Sequence, residues 1–313
     1  MTCSVPVVFI IFRRPELTAR VFEAIRQAKP SQLLIIADGP KDSADAALCQ
    51  QTRAIAQQVD WDCKVLHNYS SVNLGCRARV SSGLDWAFSL VEEAIILEDD
   101  CLPSSSFFAY CETLLKKYKH DTRVMHIGGH NFLCSDAASP HSYYFSGLTQ
   151  VWGWASWRRA WQFYDVDMAQ WPLAREKYPS LFERFGPEDK IERRRDLWDK
   201  TYRGLIDSWD YQWLFAVCSQ NGLCILPKVN MISNIGFGQD ATHTDAHDPR
   251  RENLKRGETT FPLTHPPLVL RDKQADDSYL GLGSFKQNPV STRLLNWMRR
   301  ARTISRPKFN LSA

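Results

Sequence analysis

The chain has 313 residues, 44% of them hydrophobic and 24% charged, values ordinary for a globular enzyme with a large core. A net charge of +4 is too small for this size to point to nucleic acid. The nine cysteines form no CxxC pair and no zinc spacing. Most sit in apolar segments (Cys101, Cys111, Cys218, Cys224), so they are expected to be buried free thiols in a reducing compartment.

The start, Met1-Thr2-Cys3-Ser4-Val5-Pro6, has no basic n-region, and no segment qualifies as transmembrane; a cytoplasmic location is expected. Val7 to Phe12 reads as a buried strand. Pro15 suits the first turn of the helix that follows, with Leu17, Val21, Ile25 and Ala28 on one face. Leu33 to Ala37 is a second strand, stopping at Asp38-Gly39-Pro40. A polar helix to about residue 58 leads to a third strand near Cys63 to Leu66. Asn73-Leu74-Gly75 is a turn, and Val80, Leu84, Phe88 and Val91 mark an amphipathic helix. Ala94-Ile95-Ile96-Leu97 is too short for a helix and reads as a strand buried in a parallel sheet, with Glu98-Asp99-Asp100 at its end. Ser104 to Ser106 suit the cap of a helix carrying Phe108, Cys111, Leu115 and Tyr118. Val124 to Gly129 is one more strand. This alternation predicts an α/β fold with a doubly wound, mostly parallel central sheet flanked by helices.

From about Ser142 the pattern changes. Trp152, Trp154, Trp157, Trp161 and Trp171 crowd together; most are expected in the core, with some lining a sugar site. Pro187 to Arg203 is charged and helical, Leu223 to Pro227 resembles a late strand, and Asn234 to His243 is a glycine-rich loop. Beyond about Ala246 the chain is polar and proline-rich, an irregular extension that ends in a basic stretch from Arg293 to Lys308. Leu294 to Arg302 is partly amphipathic: either a terminal helix packed on its own domain or a peripheral contact with an anionic membrane surface.

The acidic triplet carries most of the chemistry. Three adjacent carboxylates repel one another, and they sit where open α/β sheets bind ligands. A hard divalent cation, Mn²⁺ or Mg²⁺, would neutralise them; the alternative is a solvated acidic turn that caps a helix. Arg13-Arg14, Asp38-Gly39 and Asn73-Leu74-Gly75-Cys76-Arg77 stand at other strand ends or before a helix. On one edge of a parallel sheet they would offer cations, a carboxylate and a metal site to a nucleotide diphosphate. No GxxxxGK[ST] and no GxGxxG occurs, which counts against P-loop and dinucleotide-binding readings.

Asp38-Gly39-Pro40, Asn73 to Arg77 and Ile95 to Pro103, in this order, resemble GT-A-fold nucleotide-sugar glycosyltransferases. The nearest resemblance is to bacterial haemolytic-protein-like glycosyltransferases and, in turn, to the eukaryotic N-acetylglucosaminyltransferase that begins complex N-glycan branching. Val151 to Trp157 and Asn234 to His243 look like the same group. The resemblance implies a GT-A domain over 1–245, with a nucleotide-binding half (1–130) and an acceptor or catalytic half (131–245), before the extension over 246–313. It implies Asp100 as direct metal ligand and His243 completing the metal shell, with His247 a poorer rival. Asp99 would contact the ribose or the metal shell, Glu98 would support the ribose, and Asp38 would read the nucleobase edge. Arg13 or Arg14, with Asn73 and Arg77, would lie near the nucleotide. Trp152 or Trp154 would meet the sugar, since Gly153 permits close backbone approach. Asp210 would be the general base at a helix start, with Asp207 in reserve; Asp210 also suits a plain cap.

The implied activity is metal-dependent, inverting transfer of a sugar from a nucleotide-diphosphate donor, of UDP type, to a hydroxyl of a glycan or lipid-linked acceptor in surface polysaccharide synthesis. The rivals are a catalytically silent nucleotide-sugar-binding protein and a sugar nucleotidyltransferase. The latter should have a glycine-rich loop after the first strand, where this chain has Phe12-Arg13-Arg14-Pro15.

Overall fold

The computed structural model describes residues 3–133, 139–237 and 254–281. Strands and helices alternate through β1 (Val7–Ile11), α1 (Pro15–Ala28), β2 (Gln32–Ala37), α2 (Ser43–Ala56), β3 (Lys64–Tyr69), α3 (Gly75–Leu90) and β4 (Glu93–Glu98). A short β5 (Cys101–Pro103), α4 (Ser106–Tyr118) and β6 (Val124–Gly128) follow. Then come β7 (Tyr143–Ser146), β8 (Trp154–Trp157), α5 (Arg158–Trp161), α6 (Trp171–Lys177) and a 3-10 segment (Pro179–Phe185). The remaining elements are α7 (Glu188–Tyr202), α8 (Asp210–Ser219), β9 (Leu223–Pro227), β10 (Ile232–Asn234) and α9 (Lys273–Tyr279).

Eight strands form one sheet in the order β3-β2-β1-β4-β8-β6-β9-β7. β3, β2, β1 and β4 are mutually parallel, and β9 is parallel to β6. β8 runs antiparallel to both of its neighbours, and β7 antiparallel to β9. The continuous apolar run of β1 follows from burial on both faces. Val7, Phe9 and Ile11 pack with α1 and α4 residues such as Phe22, Ile25, Phe107 and Leu114. Val8 and Ile10 face the opposite layer, with Val80, Leu84 and Phe88 of α3 and Trp213 of α8. The fold is therefore the expected α/β class, a mostly parallel central sheet flanked by helices. No described helix is long and apolar enough to cross a membrane.

Three features depart from the sequence reading. The tryptophan-rich stretch contains a strand, β8, wedged between β4 and β6. Its Trp154 is 0% exposed and packs against His126, Trp161, Trp209 and Trp213. Second, strands from beyond residue 130 complete the same sheet, β8 lying on the far side of β4 from β1 and next to β6. Third, the serines do not cap α4 with their side chains. The carboxylate of Glu258 accepts the Ser105 and Ser106 amides instead, at 3.2 and 2.8 Å. A distant carboxylate can thus satisfy orphan donors that a local hydroxyl was expected to take.

The described part of the extension, 254–281, is stitched onto the sheet. Gly257 N–H donates to Asn230 O at 2.8 Å, and Asp272 N–H to Phe145 O at 2.7 Å. The basic stretch from Arg293 to Lys308 lies outside the described residues.

His126, in the middle of β6, is fully buried. Its Nδ1 accepts the Trp213 indole N–H at 3.1 Å, and its Nε2 stands 3.0 Å from Gln150 O. Indole can only donate, so the ring is the neutral Nε2–H tautomer, which donates to that carbonyl. Burial pulls its pKa down to about 4.

Candidate active site

Parallel strands end on one edge, and the loops leaving β1, β2 and β4 meet there. Because β8 runs the other way, its entry, Val151-Trp152, arrives at the same edge. A cavity of about 310 Å³ results, lined by Phe12, Arg13, Arg14, Asp38, Asn73, Glu98, Asp99, Asp100, Trp152, Asp207 and Asp210, among others.

The acidic triplet has three distinct surroundings. Asp99, 2% exposed, accepts Phe12 N–H at 3.1 Å and pairs with the Arg14 guanidinium. It pins the end of β1 to the end of β4. Asp100 also reaches Arg14, with Oδ2 3.1 Å from Nη1, but remains partly open to the cavity. Glu98 lines the cavity too. Burial first, then Asp100 and Asp99, push its carboxyl well above the usual carboxylate range. Burial raises Asp99 as well, against the opposing pull of Arg14. Burial works against the Arg14 cation, but Asp99 and Asp100 outweigh it and hold the guanidinium charged. Arg14 is thus the built-in counter-ion of the triplet. Arg13 lines the cavity while pairing with Asp45 at 2.5 Å.

Asp38 has a full set of donors. Its Oδ1 accepts the Gly39 and Leu74 amides at 2.8 and 3.0 Å. Its Oδ2 accepts the Asn73 side-chain amide and Gly75 N–H at 3.0 and 3.1 Å. Asp38 and Asn73 therefore lock the end of β2 to the start of α3 at the cavity wall. Arg77 departs from its expected place. Its guanidinium turns to Val166 O and Asp167, at 2.7 and 2.9 Å, and does not line the cavity. An arginine in the first turn of a helix points wherever an acceptor is offered, and here the 166–167 loop offers two.

Trp154 is likewise no cavity residue: the alternation of β8 buries it under the sheet edge. Trp152 does line the cavity, half-buried, edge-on to Phe237 at 5.7 Å. Of the two carboxylates weighed as base, Asp207 is engaged twice, accepting Cys76 N–H at 3.1 Å and Arg77 N–H at 2.9 Å. Asp210, the first residue of α8, lines the cavity and accepts a hydrogen bond from the Ser208 hydroxyl.

Among the described residues no group of three or more His, Cys, Asp or Glu forms a metal cage. Mg²⁺-type ions do not require one, since they commonly take one or two carboxylates plus substrate phosphate oxygens. Asp99 is spent on Phe12 and Arg14, which leaves Asp100 and Glu98 as the donors facing the cavity. That donor set fits a cation that arrives with a diphosphate. His243 and His247 lie outside the described residues.

Gly236 belongs to the site and was not singled out in the sequence. A methyl group there would sit 2.5 Å from Asp100 Oδ2 and 2.8 Å from Arg14 Nη1. Ile235 N–H donates to Asp100 O at 2.8 Å, so the loop after β10 lies directly on the triplet. The glycine-rich composition of Asn234 to Gly238 was the available signal.

No protein-family model matches the chain, and no curated protein matches it. Among solved structures it is similar to a UDP-glucose pyrophosphorylase complexed with UDP-glucose, at 8% identity and TM-score 0.35 over 72% of this chain and 90% of that one. It is similar to mannose-1-phosphate geranyltransferase from Thermus thermophilus, at 12% identity and TM-score 0.37 over 72% of this chain and 74% of that one. It is also similar to the inositol-1-phosphate CTP transferase from T. maritima, at 9% identity and TM-score 0.34 over 72% and 86% of the two chains. These likenesses are remote, and nothing about the chemistry of this chain follows from them.

Proposed function

We propose that this protein is a glycosyltransferase that moves a sugar from a nucleotide-diphosphate donor, of UDP type, to a hydroxyl of a glycan or lipid-linked acceptor. The observation that carries this reading is the convergence of Arg14, Glu98, Asp100, Trp152 and Asp210 on one cavity at the carboxyl edge of the parallel strands. Arg13 and Arg14 line the cavity beside the place for the diphosphate, Arg13 paired with Asp45 and Arg14 offsetting the charge of the triplet. Trp152 offers an aromatic face to a pyranose ring. Asp210, at the start of α8, takes the proton from the acceptor hydroxyl as its oxygen attacks the anomeric carbon and the bond to the diphosphate breaks. That single displacement inverts the anomeric centre. Mn²⁺ or Mg²⁺, held by Asp100 with Glu98 nearby, would offset the charge of the departing diphosphate.

The nucleotidyltransferase alternative finds less support: the β1–α1 connection, Phe12-Arg13-Arg14, has no glycine to cradle a triphosphate. A silent binding protein would have no use for Asp210 in the cavity wall.

The test is a thermal-shift screen of nucleotide sugars with and without Mn²⁺, followed by a transfer assay with the donor that binds. Asp210→Asn should cut transfer by about 10²–10⁴-fold and leave donor affinity within a few-fold. Full transfer by Asp210→Asn, or pyrophosphate release from a nucleoside triphosphate and a sugar phosphate, would refute the proposal.

A further inference from the structure

The structure assigns Asp207 a positioning role: it fastens the loop that carries Asp210 to the nucleotide-binding half through the first turn of α3. This rests on the reading of Asp210 as the base. A helix leaves its first backbone N–H groups without partners inside the helix. At the start of α3, two carboxylates from distant parts of the chain divide those donors. Asp38, at the end of β2, takes Leu74 and Gly75. Asp207 takes Cys76 and Arg77.

Gly75 makes the approach feasible. It has φ +79°, and a side chain there would begin 2.9 Å from Asp207 Oδ2. A second tie lies two residues on. The Ser81 hydroxyl of α3 meets the Tyr164 hydroxyl at 2.8 Å, and Tyr164 donates to Trp209 O at 3.3 Å. Asp210 follows directly, so the base is held to α3 on its amino-terminal side by both bridges. Both oxygens of Asp207 are occupied by amide protons, which fits a fastener better than a proton acceptor.

Misplacing a catalytic group by about 1 Å can cost on the order of 10²-fold in rate. Asp207→Ala should therefore lower kcat by about 10–100-fold and leave donor KM nearly unchanged. Asp207→Asn keeps one acceptor oxygen and should recover part of the loss. The acid limb of the kcat–pH profile should stay in place in both variants and disappear in Asp210→Asn. Hydrogen exchange, read without any substrate, should speed up at both the Cys76 and Arg77 amides in Asp207→Ala and at one of the two in Asp207→Asn.

An acid limb lost in Asp207→Asn and kept in Asp210→Asn would overturn the assignment and make Asp207 the base. Unchanged exchange at Cys76 and Arg77 would overturn the fastening even if sugar transfer is real. If the wild-type protein transfers no sugar, the functional reading fails, and the exchange measurement still decides whether Asp207 ties the loop to α3.

Discussion

His126 offers a measurable link between protonation and stability. It is buried, neutral, and bonded through both ring nitrogens, to Trp213 and to Gln150 O. Its pKa falls from 6.5 in the open chain to about 4 in the fold. A depressed pKa means that the unfolded chain binds the proton more readily. The associated stability is therefore fully present above 6.5 and is lost as pH falls toward 4. The whole span corresponds to about 3 kcal/mol, of which about 2 kcal/mol is lost by pH 5. His126→Gln can keep both bonds, accepting from the indole and donating to the carbonyl, but cannot titrate. Guanidinium unfolding of both proteins at pH 7.5 and pH 5 isolates the effect, since every other titrating group is shared. The wild type should lose about 2 kcal/mol more than the variant between the two pH values. Equal losses would refute the claim that this ring is held neutral by its surroundings.

Other outcomes follow from single contacts. Gly236→Ala drives a methyl group into Asp100 and Arg14 and should destabilise the protein by about 1–3 kcal/mol, read as a lower melting temperature. Glu258→Ala removes the carboxylate that caps α4 and should cost about 1–2 kcal/mol in chemical denaturation, with the cavity residues untouched. Trp154→Ala empties a fully buried site and should cost about 3–5 kcal/mol. Trp152→Ala removes a half-buried ring that packs on His130, Phe132 and Phe237 and should cost less than Trp154→Ala while weakening donor binding in the thermal-shift screen.

The architecture from β1 to β4 was legible because it is local. β1, β2 and β4 are short apolar runs bounded by Asp38-Gly39-Pro40, a turn or the acidic triplet. β3 keeps only Val65 and Leu66 of such a run and continues through His67 and Asn68; the amphipathic helices show their own period. What was hidden depends on partners remote in sequence. Nothing near Ser104 announces that Glu258 will cap α4. Nothing near Arg77 announces the acceptors at Val166 and Asp167. Trp152 and Trp154 look alike in the chain, and only the pairing of Trp154 with Ile96 and Gly128 separates a core residue from a cavity residue. The triplet was recognised as a site, but its counter-ion, Arg14, came from a different strand end.

The reversed direction of β8 has a further consequence. Asp38, Asn73 and Arg13 hang on the parallel block β3-β2-β1-β4, whereas Trp152 enters from a strand whose polarity is opposite and whose preceding connection belongs to the other half of the chain. Changes in length or composition of the 147–152 connection would reshape the end of the cavity near Trp152 and leave the strand ends that hold Asp38 and Arg14 where they are. Under the proposed function, descendants of this chain could diverge in the sugar they take while keeping one set of nucleotide contacts, and exchanging that connection between homologues would test whether the preference moves with it.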